Sequence, residues 1–269
     1  MDRASLPQNV RWRIADDMAE DILPAVNEGV ETYTRSETVY SRFVKRFMDI
    51  IISLLVLIIT APINLVIGIV TFFDVGRPIF FKQDRVGKDG KIFKVVKFRN
   101  MRNTTDANGE LLPARDRVTK WGKWVRRLSL DELLNFYSVL KGDMSIIGPR
   151  PLVPQYYKRY SNRHLARFQV RPGLECPPHK AEHSLRSWND QFENDLWYVQ
   201  NLSFKTDVLM IWSLVRFVFD RKNSAVRSAA KRGDFIGYAE DGTALGLNEI
   251  PQEYVDRACR EEGYIVPQA

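Results

Sequence analysis

The sequence has few cysteines, no secretory leader pattern and only one long apolar segment. Its two cysteines, Cys176 and Cys259, lie far apart in a chain of 269 residues. This spacing excludes a disulfide-rich scaffold and favours a reducing compartment. Residues 1–41 are polar and mixed in charge, without the apolar core of a secretory signal peptide. There is no internal repeat, and the glycine-rich turn GKDG lacks the P-loop pattern of a nucleotide-binding site.

The long apolar segment runs from Asp49 to Phe73 and reads DIIISLLVLIITAPINLVIGIVTFF. After Asp49 it has no charged side chain for about 24 residues, more than the ~20 that cross a bilayer as a helix. Pro62 lies at its middle and breaks or kinks a helix, because it lacks an N–H group and clashes with the preceding turn. Each half is then long enough to reach only about the middle of a ~30 Å hydrocarbon core.

Both flanks of this segment are basic. Lysines and arginines precede it at Arg42, Lys45 and Arg46, and follow it at Arg77, Lys82, Arg85, Lys88 and Lys91. Flanks rich in lysine and arginine stay in the cytoplasm, so a single span would place one of them on the wrong side. We therefore expect a re-entrant helix over 42–73 with both ends cytoplasmic. A kinked single span is the alternative.

The remaining patterns predict an α/β protein that is mostly helical. An accessory arm (1–41) and the re-entrant helix (42–73) precede a central domain (74–220) and a C-terminal extension (221–269). Aromatic and apolar residues on both sides of GKDG predict a β-hairpin. The segment WGKWVRRLSLDELLNFYSVLKGD, residues 121–143, predicts one helix. Residues 204–219 predict an amphipathic helix at the membrane interface, with a buried core helix as the alternative.

Two adjacent carboxylates, Asp131 and Glu132, follow a pair of arginines in RRLSLDELLN. The spacing from Ser129 to Glu132 matches a capping box, and Asp131 would then favour the helix dipole. The same arrangement suits chemistry, because a helix N-terminus beside arginines can bind phosphate. A carboxylate held there can attack phosphorus or bind Mg²⁺. The local pattern leaves both interpretations open.

The formal net charge of +7 suits an anionic membrane surface, a phosphate-bearing substrate or nucleic acid. A membrane-tethered nucleic-acid binder is the least favoured of these, because the chain has no recognisable helix-turn-helix or RNP1-like pattern. We therefore expect no nucleic-acid partner. The sequence leaves open whether the chain forms a homo-oligomer.

Six motifs occur in an order that resembles the monotopic phosphoglycosyl transferases, a family of bacterial sugar transferases. They are KRFMDIIISL, TAPINLVIG, FFKQDRVGKDGKIFKVVKFRNM, LSLDELLNFYSVLKGDMSIIGPRP, RPG and SWNDQFENDLWYV. The resemblance implies transfer of a sugar-1-phosphate from a UDP-sugar to polyprenyl (undecaprenyl) phosphate, through a covalent aspartyl intermediate. The products would be UMP and a polyprenyl-diphosphosugar that starts a surface glycan. It also implies that the central domain (74–220) is the catalytic domain, that Mg²⁺ is needed, and that the catalytic face lies on the cytoplasmic side of a bacterial inner membrane.

The resemblance also assigns roles to residues. Asp131 would be the nucleophile and a Mg²⁺ ligand, and Glu132 would be its functional partner. Arg126 would bind substrate phosphate, and Arg150 and Arg171 would occupy phosphate or nucleotide positions. Asp195 would be an active-site acid. Structural ion pairs are the alternative for Arg150 and Asp195.

Two stretches depart from the family pattern. Thr60-Ala61 precedes Pro62, where the family has serine before the proline. LECPPHKAEHSLR replaces a loop that is usually rich in Trp, Gln and Gly. This loop leaves open an inactive homologue that serves as a membrane scaffold. It also contains Cys176, His179, Glu182 and His183, whose spacing allows a zinc site as a minor alternative.

Overall fold

The computed structural model describes residues 3–106, 109, 112, 114–179, 187–219 and 233–264. Their helices are α1 (Gln8–Asp21), α2 (Leu23–Asn27), α3 (Lys45–Val75), α4 (Ala114–Arg117), α5 (Lys120–Arg127), α6 (Asn135–Lys141), α7 (Asn162–Leu165), α8 (Trp188–Asn201), α9 (Phe204–Phe219) and α10 (Gln252–Glu261). The strands are β1 (Phe80–Val86), β2 (Ile92–Phe98), β3 (Ser145–Ile147), β4 (Gly173–Glu175), β5 (Phe235–Tyr238) and β6 (Ala244–Gly246). In the described ranges the strands form three two-stranded sheets, so helices predominate as the sequence predicts.

The apolar segment forms α3, a helix of 31 residues that follows a π-helical turn at Tyr40–Val44. It is long and apolar enough to cross a membrane. Pro62 lies inside it, and just before the proline the Thr60 hydroxyl donates to the carbonyl oxygen of Val56 at 2.7 Å. A side-chain bond of this kind often bends a helix. Large apolar side chains in the middle of α3 are exposed, at Leu54, Leu55, Ile58, Ile59, Ile63, Leu65 and Val66.

Both ends of α3 contact the same folded body. At the N-terminal end, Arg46 donates to the carbonyl oxygens of Val139 and Leu140 at the end of α6. At the C-terminal end, the Trp121 indole donates to the Thr71 hydroxyl at 3.3 Å. The exposed apolar middle of the helix thus lies between two attached ends. This arrangement is compatible with insertion into one face of a membrane.

The β-hairpin is confirmed. β1 pairs antiparallel with β2 from Phe80 opposite Phe98 to Val86 opposite Ile92, around the predicted GKDG turn. Asp89 and Gly90 have positive φ in that turn. On one face of β2, Phe93 and Val95 pack against Val139 and Met144, which attaches the hairpin to α6.

β3 and β4 are parallel, and they place two predicted motifs side by side. Ser145 lies opposite Gly173, and the Gly148 backbone follows at the end of β3. A Cβ atom on Gly173 would come within 2.1 Å of the Gly148 nitrogen, so this approach requires glycine. The GPRP turn and the RPG segment therefore meet backbone to backbone.

The prediction of one continuous helix over 121–143 is wrong. α5 ends at Arg127, a 3₁₀ turn covers Leu130–Glu132, and α6 begins at Asn135. The physical reason is the backbone of Ser129, whose φ of 55° and ψ of 24° are left-handed and cannot continue a right-handed helix.

The N-terminal arm and the C-terminal extension share one core. Val10, Ile14 and Met18 of α1 pack against Ile236 of β5 and Val255 of α10. The same extension also packs on the domain over 74–220, since Phe235 and Tyr238 join a buried cluster with Tyr156, Trp188 and Phe192. Residues 221–232, which are basic in the sequence, lie outside the described ranges.

The helix predicted over 204–219 is confirmed as α9. One side is buried and contains Thr206, Asp207 and Met210. Large apolar side chains on the other side are exposed, at Phe204, Val208, Leu209 and Trp212. The exposed apolar side argues against the alternative of an enclosed core helix. It is the pattern expected of a helix that lies at an interface.

Candidate functional site

The carboxylate pair lies on the tight turn between α5 and α6. Asp131 is 7% exposed and Glu132 is partly exposed. The left-handed backbone of Ser129 reverses the chain after α5 and directs the following 3₁₀ turn towards the hairpin. The two carboxylates are therefore held by a strained turn and by contacts with β2, and not by the regular first turn of a helix.

The predicted capping box is wrong. Ser129 makes no side-chain hydrogen bond to the following backbone, and α6 begins six residues later, at Asn135. The carboxylate of Glu132 is instead occupied by cations from other elements. Lys97 of β2 lies 2.7 Å from Glu132 Oε1, and Arg150 of the GPRP turn lies 3.5 Å from the same oxygen. The local motif is overridden by tertiary contacts.

Asp131 is a buried carboxylate in a mostly cationic setting. Burial raises its pKa above the ordinary value and the neighbouring Glu132 raises it further, while Lys97 and Arg126 lower it. The Asn100 amide donates to Asp131 Oδ2 at 3.4 Å. Burial removes water from this carboxylate, and the cations favour its ionised form. These are conditions that suit a nucleophile towards a phosphate.

Arg126 lies in the last turn of α5, on the exposed surface near Asp131. α5 packs closely on the chain after the hairpin, because Gly122 leaves room for the carbonyl of Asn100. A Cβ atom at residue 122 would come within 2.2 Å of that oxygen. Asn100 thus touches α5 through its backbone and Asp131 through its side chain. Arg126 is close enough to Asp131 for its charge to lower the pKa of that carboxyl, so the two residues belong to one site.

Three residues that the sequence analysis did not single out join this site: Lys97, Asn100 and Arg85. Arg85 and Lys97 lie on the same face of the hairpin as Phe93 and Val95, by the register and strand alternation. Burial lowers the pKa of Arg85 and so does the positive charge of Arg150. The available signal was that Lys97 shares a strand face with the buried Phe93 and Val95, and that Arg85 lies opposite Phe93. This signal can be recognised only once the register of β1 against β2 is known.

Arg150 lies with the carboxylate pair, but Arg171 and Asp195 lie elsewhere. Arg150 also contacts Glu175 of β4 at 3.5 Å. Arg171 donates to the carbonyl oxygen of Gly142 at the end of α6. That carbonyl is at the opposite end of α6 from the carboxylate turn.

Asp195 is 1% exposed and forms an ion pair with the buried Arg167 at 2.7 Å. Arg167 also donates to the carbonyl oxygen of Arg150 at 2.8 Å. Asp195 therefore contacts the site through Arg167, which supports the backbone of the GPRP turn. This is the ion-pair arrangement that the sequence analysis named as the alternative for Asp195.

The zinc alternative receives no support from the described residues, which contain no group of three His, Cys, Asp or Glu side chains able to hold a metal. His179 stacks on Trp197 with ring centroids 4.3 Å apart. Cys176 is buried and its sulfur lies 3.4 Å from the Asn194 amide. Glu182 and His183 lie outside the described ranges.

The fold and site define a protein with a long apolar helix, compatible with membrane insertion, and a carboxylate pair surrounded by cations. The chain belongs to the bacterial sugar transferase family, whose model matches residues 40–221. This confirms the family indicated by the six motifs. The arm before residue 40 and the extension after residue 221 lie outside the match.

Several curated relatives are sugar transferases. The chain is 40% identical over 174 residues to EpsL of Bacillus subtilis, an uncharacterised sugar transferase, across 65% of this chain and 86% of EpsL. It is 35% identical over 190 residues to the UDP-glucose:undecaprenyl-phosphate glucose-1-phosphate transferase of Klebsiella pneumoniae, across 67% of this chain and 41% of that protein. It is 33% identical over 185 residues to the UDP-N-acetylgalactosamine-undecaprenyl-phosphate N-acetylgalactosaminephosphotransferase of Aeromonas hydrophila, across 65% of this chain and 44% of that protein. The chain spans less than half of the last two.

Proposed function

We propose that this protein transfers a sugar-1-phosphate from a UDP-sugar to polyprenyl phosphate, releasing UMP, as the first membrane step of a surface glycan. The observation that carries the proposal is the buried Asp131 beside Glu132, with Lys97, Arg126 and Arg150 around the pair. Relatives named for this reaction with UDP-glucose or UDP-N-acetylgalactosamine support the substrate class. The sugar itself is not part of the proposal.

The proposed chemistry has two displacements at one phosphorus atom. A carboxylate oxygen of Asp131 attacks the phosphorus that bears the sugar, and the bond to the bridging oxygen of UMP breaks with its electron pair. The aspartyl phosphosugar then loses the phosphosugar to an oxygen of polyprenyl phosphate, which regenerates the Asp131 carboxylate. Splitting the reaction avoids bringing two bulky anions together in one step. Arg126 and Arg150 bind the phosphates, and the charge of Lys97 lowers the pKa of Asp131 against the effect of burial.

The side-chain oxygens at this site fit a Mg²⁺ ion that binds together with the nucleotide. Mg²⁺ prefers oxygen ligands and usually takes one or two carboxylates plus substrate phosphates. Asp131 would hold it, and the buried side-chain oxygen of Asn135, which has no hydrogen-bond partner among the described residues, lies one turn further along the chain. The ion would neutralise diphosphate charge.

We also propose that α3 is re-entrant and that the catalytic face is cytoplasmic, at the inner membrane of a bacterium. Two observations support this topology. Both ends of α3 are attached to one folded body, through Arg46 at one end and Thr71 at the other. The flanks on both sides carry lysines and arginines, which favour the cytoplasm. UDP-sugar and lipid phosphate would then meet at the carboxylate pair.

A single-turnover experiment tests the chemistry. Enzyme mixed with Mg²⁺ and the correct UDP-sugar, but without lipid acceptor, should release about one UMP per active site. Intact-protein mass should rise by one phosphosugar, located on Asp131 by fragmentation. Asp131→Asn should abolish both signals and remain folded, because an amide is a poor nucleophile. Asp84→Asn, on the exposed Asp84–Lys94 pair, is the matched control.

The outcomes separate the alternatives. UMP that appears only when acceptor is present would show direct transfer and reject the covalent intermediate. No UMP from any member of a panel of UDP-sugars, with or without acceptor, would favour the inactive scaffold.

A further inference from the structure

A cavity of about 690 Å³ lies at the C-terminal end of α3, beside the segment that leads into α5. Its apolar lining comes from Val70 and Phe73 of α3 together with Trp121. Its polar lining includes Arg102, Arg117 and Lys120. Nothing in the proposed reaction uses this cavity. Its position is where an inserted helix returns to the membrane surface.

Local contacts hold the walls together. Arg102 donates its backbone N–H to the carbonyl oxygen of Arg117 at 3.0 Å, so the two arginines lie next to the β-bridge between Met101 and Val118. The Arg102 guanidinium donates to the carbonyl oxygen of Asp74 at 3.0 Å. The Trp121–Thr71 hydrogen bond closes the other side. The cavity is therefore formed by the attachment of α3 to the catalytic domain.

The charges around the cavity favour an anion. Three cations line it, and two carboxylates, Asp74 and Asp116, line it as well. Asp74 Oδ1 is engaged by Arg102 at 3.3 Å. The second oxygen, Asp74 Oδ2, is buried and has no hydrogen-bond partner among the described residues. A buried acceptor without a donor is costly, and a ligand that supplies a donor relieves that cost.

These features specify the chemistry of a ligand. It carries a phosphate for the cations, a hydrogen-bond donor for Asp74 Oδ2 and an apolar tail for the wall of Val70 and Phe73. A glycerophospholipid with a hydroxyl or ammonium in its head group has all three. A polyprenyl phosphate lacks the donor when its phosphate is ionised. Phosphate groups at the membrane surface attract lysines and arginines.

We propose that this cavity binds the head group of a bilayer glycerophospholipid, with Arg117 and Lys120 near its phosphate and Asp74 Oδ2 accepting from its donor. The inference rests on the proposed membrane position of α3 and does not depend on the covalent chemistry. The bound lipid would stabilise the join between α3 and α5. That join also carries Asn100, whose carbonyl contacts the N-terminal end of α5 and whose amide contacts Asp131.

Native mass spectrometry of the purified full chain in detergent tests the proposal. The probe is phosphatidylglycerol, and diacylglycerol with the same tails is the uncharged control. Wild type should retain one phosphatidylglycerol and no diacylglycerol. The double variant Arg117→Gln/Lys120→Gln should bind it about tenfold or more weakly, since two cations near the phosphate are lost. Lys91→Gln/Lys123→Gln removes the same charge from two exposed residues outside the cavity and should bind as wild type does.

Three results would overturn the proposal. Equal binding of diacylglycerol would show that only tails are recognised. Unchanged binding of phosphatidylglycerol by the double variant would show that the lipid does not bind in this cavity. Displacement of phosphatidylglycerol by equimolar polyprenyl phosphate would assign the site to the acceptor instead. If the double variant does not fold, Lys120→Gln alone replaces it, because Lys120 is exposed and its substitution should not disturb folding. Phosphatidylglycerol binding is then measured across a range of salt concentrations. UMP release without lipid acceptor is measured in a separate experiment. Failure of the lipid-binding proposal can therefore be told apart from failure of the proposed transfer reaction.

Discussion

The Lys97 ammonium lies 2.7 Å from Glu132 Oε1 and joins the hairpin strand β2 to the turn that carries Asp131. This contact replaces the capping interaction that the local sequence suggests for Glu132. It also places a positive charge where it lowers the pKa of Asp131 against the effect of burial. Lys97 is therefore expected to influence the nucleophile without contacting it directly.

Replacing Lys97 with Met should shift the pH profile of UMP release. Burial already raises the pKa of Asp131, and loss of the Lys97 charge should raise it further. The ionised nucleophile would then be lost at a higher pH on acidification, so the acidic limb of kcat/KM moves upwards in pH. Lys94→Met is the control, because Lys94 pairs with Asp84 on the exposed side of the hairpin. An acidic limb that does not move would contradict this role.

Replacing Arg126 with Lys should reduce turnover by about tenfold or more while folding and membrane association remain normal. Lysine keeps the charge but loses the planar fork that binds phosphate through two hydrogen bonds. Arg127→Lys changes the neighbouring exposed arginine and serves as the control. Steady-state rates of UMP release make the comparison. Near-normal turnover by the Arg126 variant would reject a bidentate contact.

Both ends of α3 should be protected from an impermeant thiol reagent added to intact cells. Ser41→Cys and Lys88→Cys, made separately, place a thiol before and after the helix. The native Cys176 and Cys259 are buried, so the parent protein reports the background. Both sites should label after permeabilisation. Labelling of one site in intact cells would show a full span, and Pro62→Leu should shift some molecules towards that state because it restores the helix N–H.

Replacing Asp195 with Ala should destabilise the protein by about 3–5 kcal/mol, because it leaves the buried Arg167 without its partner. Arg167→Leu/Asp195→Leu removes both charges and should cost less. Asp21→Asn breaks the exposed Asp21–Arg257 pair and should cost less than about 1 kcal/mol. Denaturant unfolding in detergent measures all three. If Asp195→Ala abolishes turnover with no loss of stability, Asp195 acts on substrate and not through Arg167.

The elements that follow from a regular pattern of apolar residues were predictable from the sequence. Alternation around GKDG predicts the β1–β2 hairpin, and the apolar run predicts α3, because both signals depend on neighbours close in the chain. The helix predicted over 121–143 fails at Ser129. Apolar spacing there continues across the break, so periodicity cannot reveal a single left-handed residue.

The candidate site follows the same division. The sequence alone determined that Asp131 and Glu132 are adjacent carboxylates near Arg126, in a chain that also contains an apolar segment of membrane-spanning length. Only the tertiary structure decided that Lys97 and Arg150 converge on Glu132, that Asp195 pairs with Arg167, and that Arg171 lies at the far end of α6. It also joined α1 with α10 across almost the whole chain. Hairpin register and long-range packing set these contacts, and neither is encoded in the spacing of nearby residues.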